Sequence, residues 1–449
     1  MTRLSRRAAL ALGGAGLSCA ATGLRAQPAG TDPSVASSVQ AQYEAQAKLK
    51  DTIQEWIERS GLRDRPGTIV EFGMAEVGQP ADHPEWVKLR ALAYDQAVMD
   101  AQQKVVQSQS TAVQADTVAR LFRAGQQEPP PFQPSDLERA GVLPDLARRL
   151  IGLAKGKLDN ELRELGINPA DFERTPEPQR HIQMAQSIRR RSTIRSFGEL
   201  VGFMPVQTFE SHDGAGNFTI GVVIAGSQRT KAVIQQILTR RGEFEPDMER
   251  ARDIRAMVAD RAALVDDFGV RLVYDQAGLP VIVSFAQWGI AYRGNDRNRI
   301  GMELDAAGTQ ARASADRQIA EFLAGSGQYT ETSETSKEME QAALRHAEGY
   351  VEESASTTSV RDALERVMQR RAQINSLTGL TTLTNWSNRH PVSGQQIIGC
   401  VRTWSAAAER DIRAYRDQRP AAAAPARPAN PQGQPGMRTG RELMNSRDF

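Results

Sequence analysis

The chain has few cysteines, few aromatic residues and, after its amino-terminal region, no long apolar run. Cys19 and Cys400 are its only cysteines among 449 residues, which excludes a disulfide framework and a CxxC zinc or redox site. No later segment approaches eighteen consecutive apolar residues, so we expect no membrane-spanning helix in the mature chain. Fold stability must therefore come from burial of an apolar core.

The chain also lacks a large net charge of either sign. The chain holds 56 Lys and Arg against 54 Asp and Glu, and residues 1–26 contribute four arginines and no acid. Without that segment the balance is 52 − 54 = −2. A nearly neutral chain has no global field that draws it to nucleic acid or anionic lipid, and short basic runs such as Arg189–Arg191 are typical of solvated helix faces. We therefore expect no nucleic-acid partner.

Residues 1–26 have the layout of a secretory signal peptide. A basic start is followed by an uncharged run over residues 8–24 and a small-residue junction at Ala26. The run is too short and too weakly apolar to span a membrane well. This pattern predicts export to the periplasm.

The export route has three possible forms. Ser5, Arg6 and Arg7 resemble the start of a twin-arginine signal, and the general secretory route is an equal alternative. Cys19 raises the option of a lipoprotein anchor, but Leu17 stands one place too close to the cysteine for a good lipobox. Lipid anchoring at Cys19 is therefore the less favoured reading.

Two similar segments indicate an internal duplication. Residues 200–227 and 378–405 each read as a strand, a polar turn and a second strand, which is a β-hairpin. When the two segments are aligned with one extra residue in the second turn, a glycine, an aromatic residue and a serine fall in register. The pairs are Gly202 with Gly379, Phe209 with Trp386, and Ser227 with Ser405. Turn glycines and buried aromatics are set by backbone geometry, so this match favours a duplication over chance.

The segments before the hairpins match more loosely. Alternating strands at residues 67–72 and 280–285 are each followed by a long helix whose small and apolar side chains recur every four residues. The fold class expected is α+β, with two diverged copies of a module that runs strand, long helix, helical insert, β-hairpin and closing helix.

These patterns divide the chain into six parts. They are a signal peptide (1–26), an N-terminal linker and helix (27–64), a first module with its helical insert (65–242), a connecting helix (243–267), a second module (268–418) and a disordered Ala/Pro-rich tail (419–449). The N-terminal helix is expected to pack on the first module, with Tyr43, Leu49 and Ile53 among its inward residues.

A search for chemistry finds no catalytic, cofactor-binding or metal-binding residue to name. The five histidines (His83, His181, His212, His346 and His390) show no i, i+4 pair that would put two metal ligands on one helix face. His212 and His390 both fall in hairpin turns, where histidines are usually exposed. Cys400 lies in an apolar strand and is interpreted as an inert packing residue.

Three features together resemble a group of bacterial envelope proteins, the LPP-twenty-like lipoproteins and the flagellar FlgT-like domains. They are the strand TIVEFGMAEVG, the Ala-rich helix EWVKLRALAYDQAVMDAQQKVV, and hairpins that end in IGVVIAGS and IIGCVRTWS. The resemblance implies an exported scaffold and carries over no catalytic residue.

The sequence thus favours a non-enzymatic periplasmic or envelope-associated scaffold whose partners are other envelope proteins. Two alternatives stay open: a hydrolase with a site between the two modules, and a protein that binds a surface polymer such as peptidoglycan. Outward-pointing Phe209 and Trp386 would favour the polymer platform, whereas burial would make them core residues. A pocket that joins His212, His390 and several acids would favour the enzyme.

Overall fold

A computed structural model of the chain describes residues 33–153, 158–198, 200–240, 244–325 and 379–417. The signal peptide expected over 1–26 and the tail expected over 419–449 lie outside these residues. The described residues combine helices with antiparallel sheets, so the α+β class is confirmed.

The first half of the chain follows the predicted order of elements. It contains α1 (Pro33–Ser60), β1 (Thr68–Glu76), α2 (Trp86–Ala124), α3 (Val142–Leu153), α4 (Asp159–Glu164), α5 (Pro169–Arg174), α6 (Glu177–Gly198), β2 (Met204–His212), β3 (Phe218–Ser227) and α7 (Gln228–Arg240). The second half contains β4 (Gly269–Tyr274), β5 (Pro280–Gly289), α8 (Arg297–Gly325), β6 (Leu380–Arg389), β7 (Gln396–Ser405) and α9 (Ala406–Asp417). The insert of the second module falls in 326–378, outside the described residues.

The strands form two antiparallel sheets with related topology. The first sheet has the order β1-β3-β2, and the second has the order β4-β5-β7-β6. In each sheet the second strand of the hairpin lies in the middle, between its hairpin partner and the strand that precedes the long helix. Strand β4 is an addition at one edge of the second sheet.

The two hairpins share their irregularities as well as their order. The β2–β3 register shifts between Pro205 and Gln207, and the β6–β7 register shifts between Thr382 and Thr384. The sequence alignment of the two hairpins places these two shifts at the same position. Across the strands, Phe209 faces Gly221 and Trp386 faces Gly399, again at aligned positions.

The aligned glycines before each hairpin meet the closing helix of the same half. Gly202 and Gly379 have φ angles of +82° and +91°, which favour glycine. A Cβ atom at Gly202 would lie 2.6 Å from the backbone nitrogen of Lys231, and one at Gly379 would lie 2.8 Å from that of Glu409. Lys231 and Glu409 are themselves aligned, so the glycine meets the closing helix at the corresponding residue in both halves.

The long helix α2 is the shared central layer between the sheets. Its alanines allow close approach: a Cβ atom at Gly73 of β1 would lie 2.0 Å from the carbonyl oxygen of Ala97. Ile220 of β3 and Phe285 of β5 belong to the same apolar cluster as Ala97. Helix α2 therefore contacts one face of the first sheet and one face of the second.

Helices also cover the outer faces of both sheets. Ile53 of α1 packs with Val223 of β3 on the outer face of the first sheet, and Ile319 of α8 packs with Ile282 of β5 on the outer face of the second. The order of layers is α1, first sheet, α2, second sheet, α8. The carboxyl-terminal half of α2 extends beyond the sheets and packs with helices α3 to α6 in a separate apolar cluster.

The expectation of a helix over 243–267 was wrong. The described part of this stretch holds only two short 3-10 turns, at Ala256–Val258 and Ala263–Val265. The Asp253 carboxylate accepts the backbone N–H of Arg255, and Asp260 accepts that of Ala262. These bonds lie just before each turn and give the backbone an alternative to helical hydrogen bonds.

The N-terminal helix packs on the first sheet, as expected, but with a shorter inner face. Leu49, Ile53 and Ile57 of α1 are buried against that sheet. Tyr43, which the helical spacing placed among the inward residues, is 68% exposed because the apolar cluster covers only the carboxyl-terminal half of α1.

Candidate functional site

A buried network of polar side chains lies between the two sheets. Its centre is Arg90, a residue of α2 that is 1% exposed. The Arg90 Nε atom lies 2.5 Å from Oε2 of Glu210, on β2, and its Nη1 atom donates to Oε1 of Gln287, on β5, at 3.0 Å. The Nη2 atom donates to the carbonyl oxygen of Val265 at 3.2 Å. One buried guanidinium thus connects the central helix, both sheets and the segment between the modules.

His390 completes the network from the β6–β7 turn. Its Nε2 atom lies 2.8 Å from Oε1 of Glu210, so both carboxylate oxygens have a partner. Its Nδ1 atom accepts the backbone N–H of Ser393 at 3.1 Å. A neutral imidazole with its proton on Nε2 satisfies both contacts.

Gln287 fixes the other end of the network. Its Nε2 atom donates to the backbone carbonyl oxygens of Leu264, Val265 and Asp267, each at 2.9 Å. The amide therefore holds the inter-module segment against β5 while its oxygen accepts from Arg90. Every polar atom at this end is satisfied, as a buried polar network requires.

The network perturbs the ionisation of two acids in opposite directions. Burial raises the pKa of Glu210, but the hydrogen bond from His390 and the charge of Arg90 outweigh it, so the pKa is lowered from its usual value. Burial raises the pKa of Asp266, which lies 3.9 Å from Arg90, and here the attraction of Arg90 does not compensate. Glu210 is the charge partner that Arg90 needs in the protein interior.

The His390–Glu210 pair resembles an acid–base dyad in composition but not in accessibility. His390 is 2% exposed, and its ring packs edge-on against Trp86 and Phe218 at centroid distances of 4.8 and 5.9 Å. Both nitrogens and both carboxylate oxygens are used within the chain. A general base must reach a substrate proton, and the His390 ring is enclosed by these aromatic side chains.

The expectation that His390 is an exposed turn residue was therefore wrong, whereas His212 is exposed. The structure brings both turn histidines to Phe218, since the His212 ring lies 5.2 Å from it, but only His390 enters the network. The sequence reading also missed Arg90 and Glu210. The only available signal was an arginine inside an otherwise small and apolar helix stripe.

A cavity of about 270 Å³ opens between α2, α8 and the edge strands β2 and β4. Its wall is mainly apolar and includes Val98, Met99, Phe203 and Phe322. Arg317 of α8 stands at this cavity and pairs with Asp95 of α2 at 3.1 Å and with Glu321 at 2.8 Å. The cavity is separate from the Arg90 network, because Arg90, Glu210, Gln287 and His390 do not line it.

The remaining sequence candidates take packing roles or remain isolated. Cys400 is buried in β7, and burial raises the pKa of its thiol. Phe209 is half-buried and packs edge-on against Trp56 of α1 at 6.1 Å, and Trp386 is 4% exposed. Both hairpin aromatics are thus part of the core.

Neither a metal site nor a membrane span is found in the part of the chain that the structure describes. Within it, no three His, Cys, Asp or Glu side chains are grouped closely enough to hold a metal ion. None of its helices combines the length and apolar character needed to cross a bilayer.

The closing helices of the two halves differ in one respect. In α7, Ile234 and Ile237 are 0% and 4% exposed and lie in the cluster on the outer face of the second sheet. The alignment of Ser227 with Ser405, continued without a gap, places Ile412 and Tyr415 of α9 at the same positions. These two side chains are 39% and 81% exposed. The same helix face is covered in one half and open in the other.

Comparisons with known proteins give one domain match and one fold match. Residues 143–239, from α3 to α7, match DUF6844, a domain of unknown function. A hypothetical protein from Francisella tularensis has a similar crystal structure, with a TM-score of 0.52 at 21% identity over 80% of this chain and 91% of that one. No curated protein matches the chain. At 21% identity the structural similarity shows a shared fold and does not indicate an activity.

Proposed function

We propose that the protein is a non-enzymatic component of the bacterial envelope that binds another envelope protein through the open face of α9. The observation that carries the proposal is the contrast between the two closing helices. Ile234 and Ile237 are buried by the rest of the chain, whereas the aligned Ile412 and Tyr415 face solvent. An apolar face that is covered in one copy of a repeated unit is a candidate contact surface in the other.

The neighbours of α7 indicate the chemistry of the partner. Ile234 and Ile237 pack among aliphatic side chains of the second sheet and α8, including Val270, Ile282 and Ile319. A partner for α9 would present a comparable aliphatic surface, into which Tyr415 can insert its ring. Large aromatic side chains of this kind commonly contribute most of the affinity at protein interfaces.

The sequence supports a location in the periplasm. The layout of residues 1–26 is that of an exported protein, with a twin-arginine or a general secretory route. The resemblance to LPP-twenty-like and FlgT-like envelope proteins points to the same compartment and to a scaffold role. Anchoring at Cys19 stays the less favoured alternative.

The two other functions considered from the sequence lose their support. A hydrolase between the modules would need His390 or Glu210 to reach a substrate, but His390 is enclosed and both carboxylate oxygens of Glu210 are bonded to His390 and Arg90. A polymer platform would need Phe209 and Trp386 to point away from the sheets, but both pack inward.

Photo-crosslinking in living cells tests the interaction. A photoreactive amino acid replaces Tyr415 in the full chain, and the matched control carries it at Met302, a large residue of α8 that is 73% exposed, close to the 81% of Tyr415. We expect an adduct with one defined envelope protein from position 415 and none with that protein from position 302. An Ile412→Ser chain that carries the probe at 415 should form at least several-fold less adduct.

Three results would overturn this proposal. One is an adduct from 415 that stays within the chain, for example with residues 326–378 or 418–449, which would mean that the α9 face is covered intramolecularly. The others are equal adducts from both positions and no protein adduct at all. A chain that ends at residue 419 shows whether the tail adds to the same interaction.

Cell fractionation tests the location separately. The full chain should appear in the periplasm, and Arg6→Lys combined with Arg7→Lys should abolish export if the twin-arginine route is used. Unchanged export of this variant would assign the general secretory route. Retention of the wild-type chain in the cytoplasm would contradict the envelope assignment.

A further inference from the structure

The β6–β7 turn of the second half contacts the first half through two side chains. The Nε2 atom of Gln395 donates to the backbone carbonyl oxygens of Ala81 and His83, at 2.5 and 2.7 Å, in the loop between β1 and α2. The same turn carries His390, whose ring is hydrogen-bonded to Glu210 of β2. Both contacts between the halves therefore depend on the conformation of this turn.

The turn is folded around the His390 ring. The backbone N–H groups of Val392 and Ser393 both donate to Nδ1 of the imidazole, at N···N distances of 3.4 and 3.1 Å. The backbone N–H of His390 donates to the carbonyl oxygen of Gln395, and that of Gly394 donates to the carbonyl oxygen of His390, each at 2.9 Å. Two donors thus converge on a ring nitrogen that must keep its lone pair to accept them.

An imidazolium does not fit this closed turn. In the charged ring both nitrogens carry a proton, so a proton on Nδ1 would face the N–H groups of Val392 and Ser393 and leave them without an acceptor. His390 is 2% exposed, so water does not replace the lost bonds while the turn stays closed. Uptake of a proton therefore requires the turn to open.

The charges around the ring do not favour a second buried cation. Glu210 of β2 supplies one negative charge, which Arg90 of α2 already shares through a 2.5 Å contact. Asp266, ahead of β4, lies 3.9 Å from Arg90, but its side chain is 74% exposed, so water screens its attraction. The histidines of the adjoining loops, His83 and His212, would add positive charge when protonated. Burial of a charged ring is therefore not compensated by its surroundings.

We propose that the β6–β7 turn is an acid-sensitive clasp between the two halves, closed while His390 is neutral and opened when this ring takes up a proton. The open turn binds a proton that the closed turn excludes. The closed form is therefore favoured above about pH 6.5, where a free imidazole is neutral, and is progressively destabilised as the pH falls below that value. The clasp is independent of the α9 surface and of the partner that this surface binds.

Hydrogen–deuterium exchange of the purified full chain tests the proposal. The backbone amides of His390, Val392, Ser393 and Gly394 are hydrogen-bonded within the closed turn and exchange when it opens. After correction for the intrinsic exchange rate, their protection should fall about tenfold between pH 7.5 and pH 5.5. This is the change that uptake of one proton by a free imidazole produces over that range.

Two histidine variants make the result specific. In His390→Asn the side-chain oxygen can accept nearby backbone N–H groups but does not titrate, so protection of the turn should be equal at both pH values. His212→Asn is the matched control, because Nδ1 of His212 also accepts a backbone N–H in a hairpin turn, that of Gly214 at 3.3 Å, but the ring is exposed. The tenfold acid response should persist in His212→Asn.

A measurement on the wild-type chain decides the matter even if His390→Asn does not fold. Imidazole ¹⁵N chemical shifts distinguish neutral from charged rings, and His390 should keep a single proton, on Nε2, at pH 5.5 while the turn is closed. A charged His390 ring in a closed turn, or unchanged protection of the wild-type turn, would overturn the proposal. So would an acid response that survives in His390→Asn or disappears in His212→Asn.

Discussion

The imidazole of His390 lies 2.8 Å, Nε2 to Oε1, from the carboxylate of Glu210, and this contact joins the two hairpins of the chain. Glu210 belongs to the β2–β3 hairpin of the first sheet, and His390 belongs to the β6–β7 turn of the second. The carboxylate also carries the charge that compensates Arg90 in the central helix. The two halves are therefore connected by a polar network as well as by apolar packing.

Removal of the Glu210 charge should destabilise the whole fold. In Glu210→Gln the fully buried Arg90 loses its ionic partner, and breaking a buried pair from one side costs about 3–5 kcal/mol. Urea unfolding should report a loss of this order in the free energy of unfolding. The expected loss reflects the unpaired guanidinium more than the value of the pair itself.

An exposed ion pair provides the control for this measurement. Asp145 and Arg148 are 2.8 Å apart and both largely exposed. Asp145→Asn should change the free energy of unfolding by less than about 1 kcal/mol. Equal effects of Asp145→Asn and Glu210→Gln would mean that the buried network does not contribute as described.

The lowered pKa of Glu210 predicts a specific pH dependence. A carboxyl group whose pKa is lower in the folded than in the unfolded chain contributes stability above its unfolded pKa, near 4.5, and loses it as the pH falls through the folded value. The difference in free energy of unfolding between wild type and Glu210→Gln should therefore be constant at neutral pH and narrow below about pH 4.5. Urea titrations between pH 7 and pH 3 measure it. A gap that widens on acidification would contradict the assignment.

The aligned glycines should respond alike to substitution. Gly202→Ala and Gly379→Ala each force a side chain into a positive-φ position and against the backbone of the closing helix, so each should cost about 2–5 kcal/mol. Thermal and urea unfolding of both variants give the two values. Similar losses are what a duplicated packing contact requires.

Two turn glycines separate strain from steric contact. Gly214 and Gly394 have φ angles of +78° and +66°, but a Cβ atom at either would meet nothing within 4 Å. Gly214→Ala and Gly394→Ala should therefore cost only about 1–2 kcal/mol from backbone strain. If these variants lose as much free energy of unfolding as Gly202→Ala does, the contact with the closing helix adds nothing to the backbone strain.

The thiol of Cys400 should be unreactive in the folded protein. It is 1% exposed, and burial raises its pKa, so both access and the thiolate fraction are low. In a Cys19→Ala chain, a colorimetric thiol reagent should label one cysteine only after denaturant is added. Rapid labelling of the native chain would show that β7 opens or that Cys400 is not a core residue.

The local patterns that were predicted correctly from the sequence are those that depend on backbone geometry. The hairpins, their glycines and the Ala-rich stripes of α2 and α8 follow from φ angles, strand alternation and helical periodicity. The helix expected over 243–267 does not form. The Asp253 and Asp260 side chains accept hydrogen bonds from nearby backbone N–H groups, and these bonds compete with helical ones. The spacing of apolar residues gives no sign of this competition.

The network around Arg90 could not be derived in the same way. Its members are separated by up to 300 positions along the chain, from Arg90 to His390. Each taken alone has an unremarkable context, such as a turn histidine or an arginine on a helix. Only the stacking of two sheets on one helix brings them within hydrogen-bonding distance.

By itself, the sequence determined the fold class, the position of both hairpins and the burial of Cys400, because each depends on residues that are neighbours in the chain or on periodic burial. The tertiary structure alone decided that His390 is enclosed, that Glu210 pairs with Arg90, that Tyr94 borders a cavity, and that Ile412 is exposed whereas Ile234 is buried. These outcomes depend on which surfaces meet across the layers, and that pairing is set by the packing of the complete chain.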